Sequence, residues 1–348
     1  MTKYMIAAAM CFGTFAGYSQ AKDSLLANER TIDRPLNVHG GQLRITGTYG
    51  FGYVSRRYES DGSTVNLVDK GFGHARHNSI AEIKFGITEH LQFTAIIQYE
   101  TRLRRDQKYQ IGHIGDQSWT YVKGTERIGG LRDPYVGLDF RIPLKTKKID
   151  VLISGGSFLP LAKSVEAKPE HSYTQMNSDR DIVYRRFSPV GYGNAVTALG
   201  GAVKYRSAKV GLTVSAMHYH AFSSETEGTD YTHRLLSNNS FEYESSPYKK
   251  GIPDMLNASA MLEYQASPFF NLFVHAQYAQ ATKGWREWEG GKMSAYNHEL
   301  ISAGAGFELI ITPRIWFKET MTLPVKGENI ESGLSFQTSL SYNLFLIK

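Results

Sequence analysis

Residues 81–99 alternate apolar and polar positions on both sides of a short turn. Before the turn, Ala81, Ile83, Phe85 and Ile87 alternate with Glu82, Lys84 and Gly86. After it, Leu91, Phe93, Ala95, Ile97 and Tyr99 alternate with Gln92, Thr94, Ile96, Gln98 and Glu100. Successive side chains of a strand point to opposite faces, so a period of two predicts a β-hairpin with one greasy face and one polar face.

The same pattern recurs along the chain. It predicts a first strand over 43–55, with Leu43, Ile45, Tyr49, Phe51 and Tyr53 facing out and Arg44, Thr46 and Thr48 facing in. Further strands follow over 133–142, 149–159, 195–205, 210–221, 255–264, 270–281, 300–311, 315–323 and 334–346, making about twelve. They run about nine to thirteen residues, against about five or six in soluble sheets. That is the length a tilted strand needs to cross a bilayer. Connections of a few residues alternate with connections of about fifteen or more, as in outer-membrane barrels with short periplasmic turns and long external loops. An open sheet edge cannot be satisfied in lipid, so the sheet must close. The predicted fold is all-β: a transmembrane up-and-down antiparallel barrel over 41–348.

Residues 1–21 read as a signal peptide. Lys3 is its charged start, an apolar core runs from Met5 to Ala16, and Ser19-Gln20-Ala21 fits the cleavage rule. The core is too short for a spanning helix. The single cysteine of the chain, Cys11, lies within it, so the mature barrel relies on burial and strand pairing rather than disulfides. Residues 22–40 are polar and irregular, and read as a periplasmic tail or a small plug, with the tail preferred.

Composition fits an exported barrel. The 348 residues include 21 Tyr and 18 Phe, and tyrosines such as Tyr53, Tyr99, Tyr205, Tyr264 and Tyr278 suit interfacial girdles. Mean hydropathy is −0.34; a barrel gives such a value because lumen residues offset lipid-facing ones. The formal net charge of +6 forms no basic stripe with interleaved aromatics, so nucleic acid is not an expected partner. The expected partners are the lipid bilayer, small-molecule solutes and the barrel-assembly machinery during biogenesis. No cofactor is expected.

Positions predicted to face the lumen, and hence to line a solute path, are Arg44, Glu82, Lys84, Glu100, Arg102, Asp139, Arg141, Lys204, His218, His220, Glu263, His275 and Glu308. They carry both signs, and read either as structural pairs or as a selective lining. His218 and His220 are two apart with His275 on another strand. They have the spacing of metal ligands, yet are read as lumen histidines near the external rim. Glu319 shares parity with Ile315, Phe317, Met321 and Leu323, which should face lipid. Either a bulge shifts the register there, or Trp316 and Lys318 face the other way. A lipid-facing hydrolase needs serine and histidine on one surface; His77-Asn78-Ser79 holds the residue types and is read as chance.

Three passages resemble the meta-pathway of phenol degradation family of outer-membrane proteins, related in shape to fatty-acid and aromatic transporters. They are Gly130-Leu131-Arg132-Asp133-Pro134-Tyr135-Val136-Gly137-Leu138, the turn Gly86-Ile87-Thr88-Glu89-His90-Leu91, and Leu323-Pro324-Val325-Lys326-Gly327. Arg132 stands where that family carries a second glycine. The resemblance implies a channel or transporter in a Gram-negative outer membrane, not an enzyme, taking up small aromatic or hydrophobic molecules passively. The alternatives are a non-conducting structural or adhesive barrel and a lipase-like outer-membrane hydrolase.

Overall fold

The computed structural model describes residues 30–69, 73–112, 119–161, 182–184, 195–221, 225–235, 241–251, 253–282, 285–288, 291–294 and 297–346. Twelve antiparallel strands close into a barrel: β1 (Gln42–Tyr58), β2 (His74–Gly86), β3 (Leu91–Gly112), β4 (Tyr135–Arg141), β5 (Ile149–Phe158), β6 (Val196–Arg206), β7 (Val210–Ala221), β8 (Met255–Ser267), β9 (Phe270–Ala281), β10 (His298–Thr312), β11 (Ile315–Glu328) and β12 (Ile330–Phe345). Each strand pairs with the next in this series. The first and last strands seal the cylinder through a ladder unbroken from Gln42 opposite Phe345 to Val54 opposite Gly333.

The barrel inverts the burial of a soluble protein. Large apolar side chains crowd its outside: Leu199 is 61% exposed, Val274 53% and Leu340 52%. Polar residues such as Gln42, Gln92, Asn271 and Asn343 are almost wholly buried inside. Only a solvent that is itself apolar makes this arrangement favourable, and a bilayer core is that solvent. Exposed tyrosines sit toward both ends of the wall, Tyr205 and Tyr264 near the short turns and Tyr49, Tyr53 and Tyr99 toward the long connections.

The strands outrun the predicted ones at the long-loop end. β3 continues to Gly112 and pairs with a strand at Trp119–Leu131, where the alternation suggested a loop. The long connections after β7 and β9 contribute Glu225–Leu235, Phe241–Gly251, Trp285–Trp288 and Gly291–Ser294 to a separate four-stranded sheet. Beyond the bilayer both faces of a strand meet water, so the sequence carries no alternation to read there. β11 and β12 meet at Asn329, which takes a positive φ of 51°, a conformation asparagine tolerates. The connection left between the strands expected over 315–323 and 334–346 is therefore a tight turn.

Residues 30–41 do not extend away from the barrel. They run across its short-turn end, with a 3-10 turn at Thr31–Asp33, and return to the wall where the Gly41 amide donates to the Gly86 carbonyl, 2.7 Å. Gly86 is required by this crossing, since a Cβ there would overlap the His39 carbonyl oxygen. Gly86→Ala should therefore displace the segment and lower stability by about 1–3 kcal/mol, as overpacking does. At Gly47 an added Cβ meets nothing within 4 Å. Thermal unfolding in detergent should show a loss for Gly86→Ala and little change for Gly47→Ala.

Candidate functional site

At the short-turn end of the lumen, residues 30–41 are gripped by inward side chains from most of the wall. Ile32 and Val38 are fully buried, and Asn37 nearly so. At one side, Gln265 of β8 accepts hydrogen bonds from the Thr31 hydroxyl at 2.6 Å and the Ile32 amide at 3.1 Å. Next, Asp150 of β5 accepts from the Leu36 amide at 2.8 Å. Gln92 of β3 accepts from the Val38 amide at 2.7 Å. Asn37 donates to the Glu89 carbonyl at 2.9 Å and accepts from Arg141 at 3.2 Å. A segment without its own ladder thus has its backbone satisfied by the barrel, as burial demands.

Charge fixes it further. Arg34 pairs with Glu308 of β10, and its guanidinium carbon stands 3.4 Å above the centre of the Trp316 ring. Arg44 of β1 lies over the same ring at 4.4 Å and donates to Asn343 at 2.9 Å. Trp316 is buried with Ile310 and Phe345, so this apolar cluster carries two cations. The Arg34 carbonyl lies 3.4 Å from Lys204 Nζ, and that lysine stands 3.4 Å from Glu263. Asp150 holds Arg206 at 2.8 Å and Arg141 at 3.5 Å.

Ten of the predicted lining residues face the lumen. Arg44, Arg141, Lys204, Glu263 and Glu308 join the network around the crossing segment. Asp139 is buried deeper in the wall's lining, accepting from Gln92 and Thr94 at 2.6 Å each. Glu82 and Lys84 pair with one another at 3.0 Å, and Glu100 with Arg132 at 3.5 Å. His275 is bonded to Thr322 at 3.1 Å beside the buried Phe273. Arg102 lies on β3, but its side chain is outside the described residues.

His218 and His220 depart from the expectation. On β7 the even positions Val210, Leu212 and Val214 are exposed on the outer wall, and the two histidines continue that face rather than the lumen's. Gly211, Thr213 and Ser215 take the inward positions. Near its far end the polarity of β7 reverses, with Met217, Tyr219 and Ala221 inward and the two histidines outward, which is why alternation misplaced them.

Glu319 faces outward without any bulge. Its ladder is continuous opposite Phe307 and Thr338, while Trp316 is buried within and Lys318 reaches over the inward Phe273 ring at 4.6 Å. The Thr338 hydroxyl donates to the Glu319 carboxylate at 2.6 Å. His77 and Ser79, two apart, also share the outer face. Tyr49 binds His77 Nδ1 at 2.7 Å, and among the described residues no hydrogen bond joins Ser79 to His77.

Arg34, Asp150 and Arg206 were not singled out by sequence. Asp150 stands opposite Lys204 in the ladder, so parity with Lys204 would have found both Asp150 and Arg206. Higher in the lumen, Tyr135, Phe158 and Tyr219 form an aromatic cluster, with ring centroids 5.2 and 5.9 Å apart along the series.

In fold, this chain is similar to solved outer-membrane channels. An outer membrane channel from Pseudomonas putida F1 aligns over 88% of this chain and 97% of its own, with a TM-score of 0.58 at 11% identity. The toluene transporter TodX from Pseudomonas putida aligns over 95% of this chain and 94% of its own, with a TM-score of 0.45 at 9% identity. No protein-family model and no curated protein matches the chain in sequence. The Pseudomonas putida F1 channel shares the β-barrel architecture expected from the alternation.

Proposed function

We infer that the protein is a channel of a Gram-negative outer membrane that lets small solutes pass without an energy source, and that residues 30–41 close its periplasmic mouth at rest. One observation carries this reading. The barrel has a polar interior wide enough to admit a polypeptide segment, and that segment is held by side chains rather than by strand pairing. Contacts of this kind can be exchanged one at a time, whereas a ladder opens cooperatively. The short turns mark the periplasmic end, so the long connections meet the solute first.

The aromatic cluster of Tyr135, Phe158 and Tyr219 gives the lumen an apolar surface among charges. That favours aromatic or amphipathic solutes, because a ring can stack there while its polar substituents meet the charged lining. An enzymatic role has less support: the His77 and Ser79 pair lacks the hydrogen bond a nucleophile needs. Conductance of the refolded protein in a planar bilayer, with aromatic acids and sugars added as blockers, tests this function. Block by an aromatic acid at concentrations where a sugar has no effect is the expected result. Insertion with no conductance under any voltage would leave a structural barrel.

A further inference from the structure

The outer surface at the far end of β7 holds an arrangement that the lumen does not use. His218 and His220 lie two apart on one strand face, so their side chains are immediate neighbours without any backbone adjustment. Their rings are nearly parallel, with planes 14° apart and centroids 6.5 Å apart. Asp254, just before β8, stands 2.8 Å from Nδ1 of His220. A carboxylate oxygen accepts hydrogen bonds, so the contact assigns the donor role to Nδ1. That fixes the tautomer and leaves the Nε2 lone pair of His220 directed away from its anchor.

Asp254 is itself held in place. Its amide donates to the Thr282 hydroxyl at 3.0 Å, and its carbonyl accepts from the Thr282 amide at 2.9 Å. A carboxylate bound to one nitrogen of an imidazole whose other nitrogen has no hydrogen bond among the described residues is the outer half of a carboxylate–histidine–metal relay. Such a carboxylate raises the basicity of the ligand nitrogen and orients the ring.

We propose that His218 and His220, with Asp254 orienting His220, form an open two-nitrogen chelate for one divalent ion of the copper or zinc type on the external rim of the barrel. Bonds of about 2.0–2.1 Å to each nitrogen require the His218 ring to turn toward His220 about χ2, a torsion that is soft in histidine, while His220 stays on Asp254. Imidazole selects copper and zinc over magnesium and calcium, which prefer oxygen. Water fills the remaining positions. Among the described residues no cluster of three or more His, Cys, Asp or Glu could hold a metal ion, so the site is exchangeable rather than structural: His220 and Asp254 are 63% and 39% exposed. It faces outward, and is independent of solute passage through the lumen.

The test uses the full mature chain without a histidine tag, refolded in detergent and titrated with Cu(II). Electron paramagnetic resonance should report one tight equivalent with coupling to two imidazole nitrogens. His218→Gln and His220→Gln should each reduce the pattern to one nitrogen. Asp254→Asn should retain two nitrogens and weaken affinity by about tenfold to a hundredfold, the usual cost of losing an outer partner. His275→Gln, in the lumen, should leave the signal unchanged. The chain has 11 histidines, so binding elsewhere is a real outcome. An unchanged spectrum in the His218→Gln/His220→Gln double variant, or the absence of a tight equivalent in the wild type, overturns the proposal. Heat-modifiable migration on gels confirms that each variant is folded.

Discussion

Arg34→Ala should expose the buried crossing segment roughly thirtyfold to a hundredfold more often than in the wild-type barrel. The side chains of Arg34 and Glu308 are only 9% and 18% exposed, so removing the guanidinium leaves a carboxylate in a poorly solvated place. Losing one partner of a fully buried pair costs about 3–5 kcal/mol; the remaining exposure of Glu308 brings this to about 2–3 kcal/mol. The stacking of Arg34 on Trp316 is lost as well, and such a contact contributes about 0.5–2 kcal/mol. Every 1.4 kcal/mol is about tenfold in an equilibrium.

The reporter is Ile32→Cys, at a position with no exposed surface. Cys11 is the only native cysteine, and it lies in the predicted signal. Maleimide labelling then measures how often residue 32 meets solvent. Labelling should be slow in the parent and accelerate by the stated factor when Arg34→Ala is added. Lys84→Ala provides the control, because Lys84 pairs with Glu82 rather than with the segment. Equal labelling rates in all three proteins would mean that Arg34 does not hold the segment.

Glu319→Leu should make the membrane-inserted barrel more stable by about 1–2 kcal/mol. The carboxylate lies among Phe307, Phe317, Met321, Phe336 and Leu340 on the lipid-facing wall. Arginine or lysine at the midplane of a barrel costs about 2–4 kcal/mol and acidic residues less. The Thr338 hydroxyl offsets part of that cost through its hydrogen bond. Removing that donor has the opposite sign: Thr338→Val should destabilise by about 1–3 kcal/mol, since the carboxylate loses its partner. In the Glu319→Leu background the same change should cost much less. Urea unfolding in lipid vesicles measures all four states of this cycle. A carboxylate whose removal destabilises the barrel would instead be bound to something outside it.

The wall was legible because lipid imposes one rule on one face. In β2 and β3 the outward Ile83, Phe85, Phe93 and Ile97 oppose inward Glu82, Lys84, Gln92 and Thr94, and the structure keeps that division. The rule weakens where lipid ends. His218 and His220 stand beyond Leu212 and Val214 on β7, where either face accepts a polar residue, and the parity chosen for them was the wrong one. The external strands at Trp119–Leu131 and Phe241–Gly251 escaped notice for the same reason.

The crossing of residues 30–41 was not legible by periodicity. Ile32 lies in a short 3-10 turn and Val38 outside any strand, so no helix or strand period links them. Their burial depends on contacts with Gln265 and Gln92, more than fifty residues away in the chain. The segment's polar residues look like those of a solvated tail. Only the inward polar groups of the closed barrel turn them into partners. Glu319 was legible as an exception, and the structure traces it to a neighbouring strand, where Thr338 supplies a hydroxyl.

The most direct test of a channel closed by its own segment is a paired recording of wild type and Arg34→Ala in a planar bilayer. The account predicts rare, brief openings in the wild type and long openings of the same unit conductance in the variant, because the pore is unchanged and only its closure is weakened. Identical steady conductance in both, or silence in both after verified insertion, would contradict it.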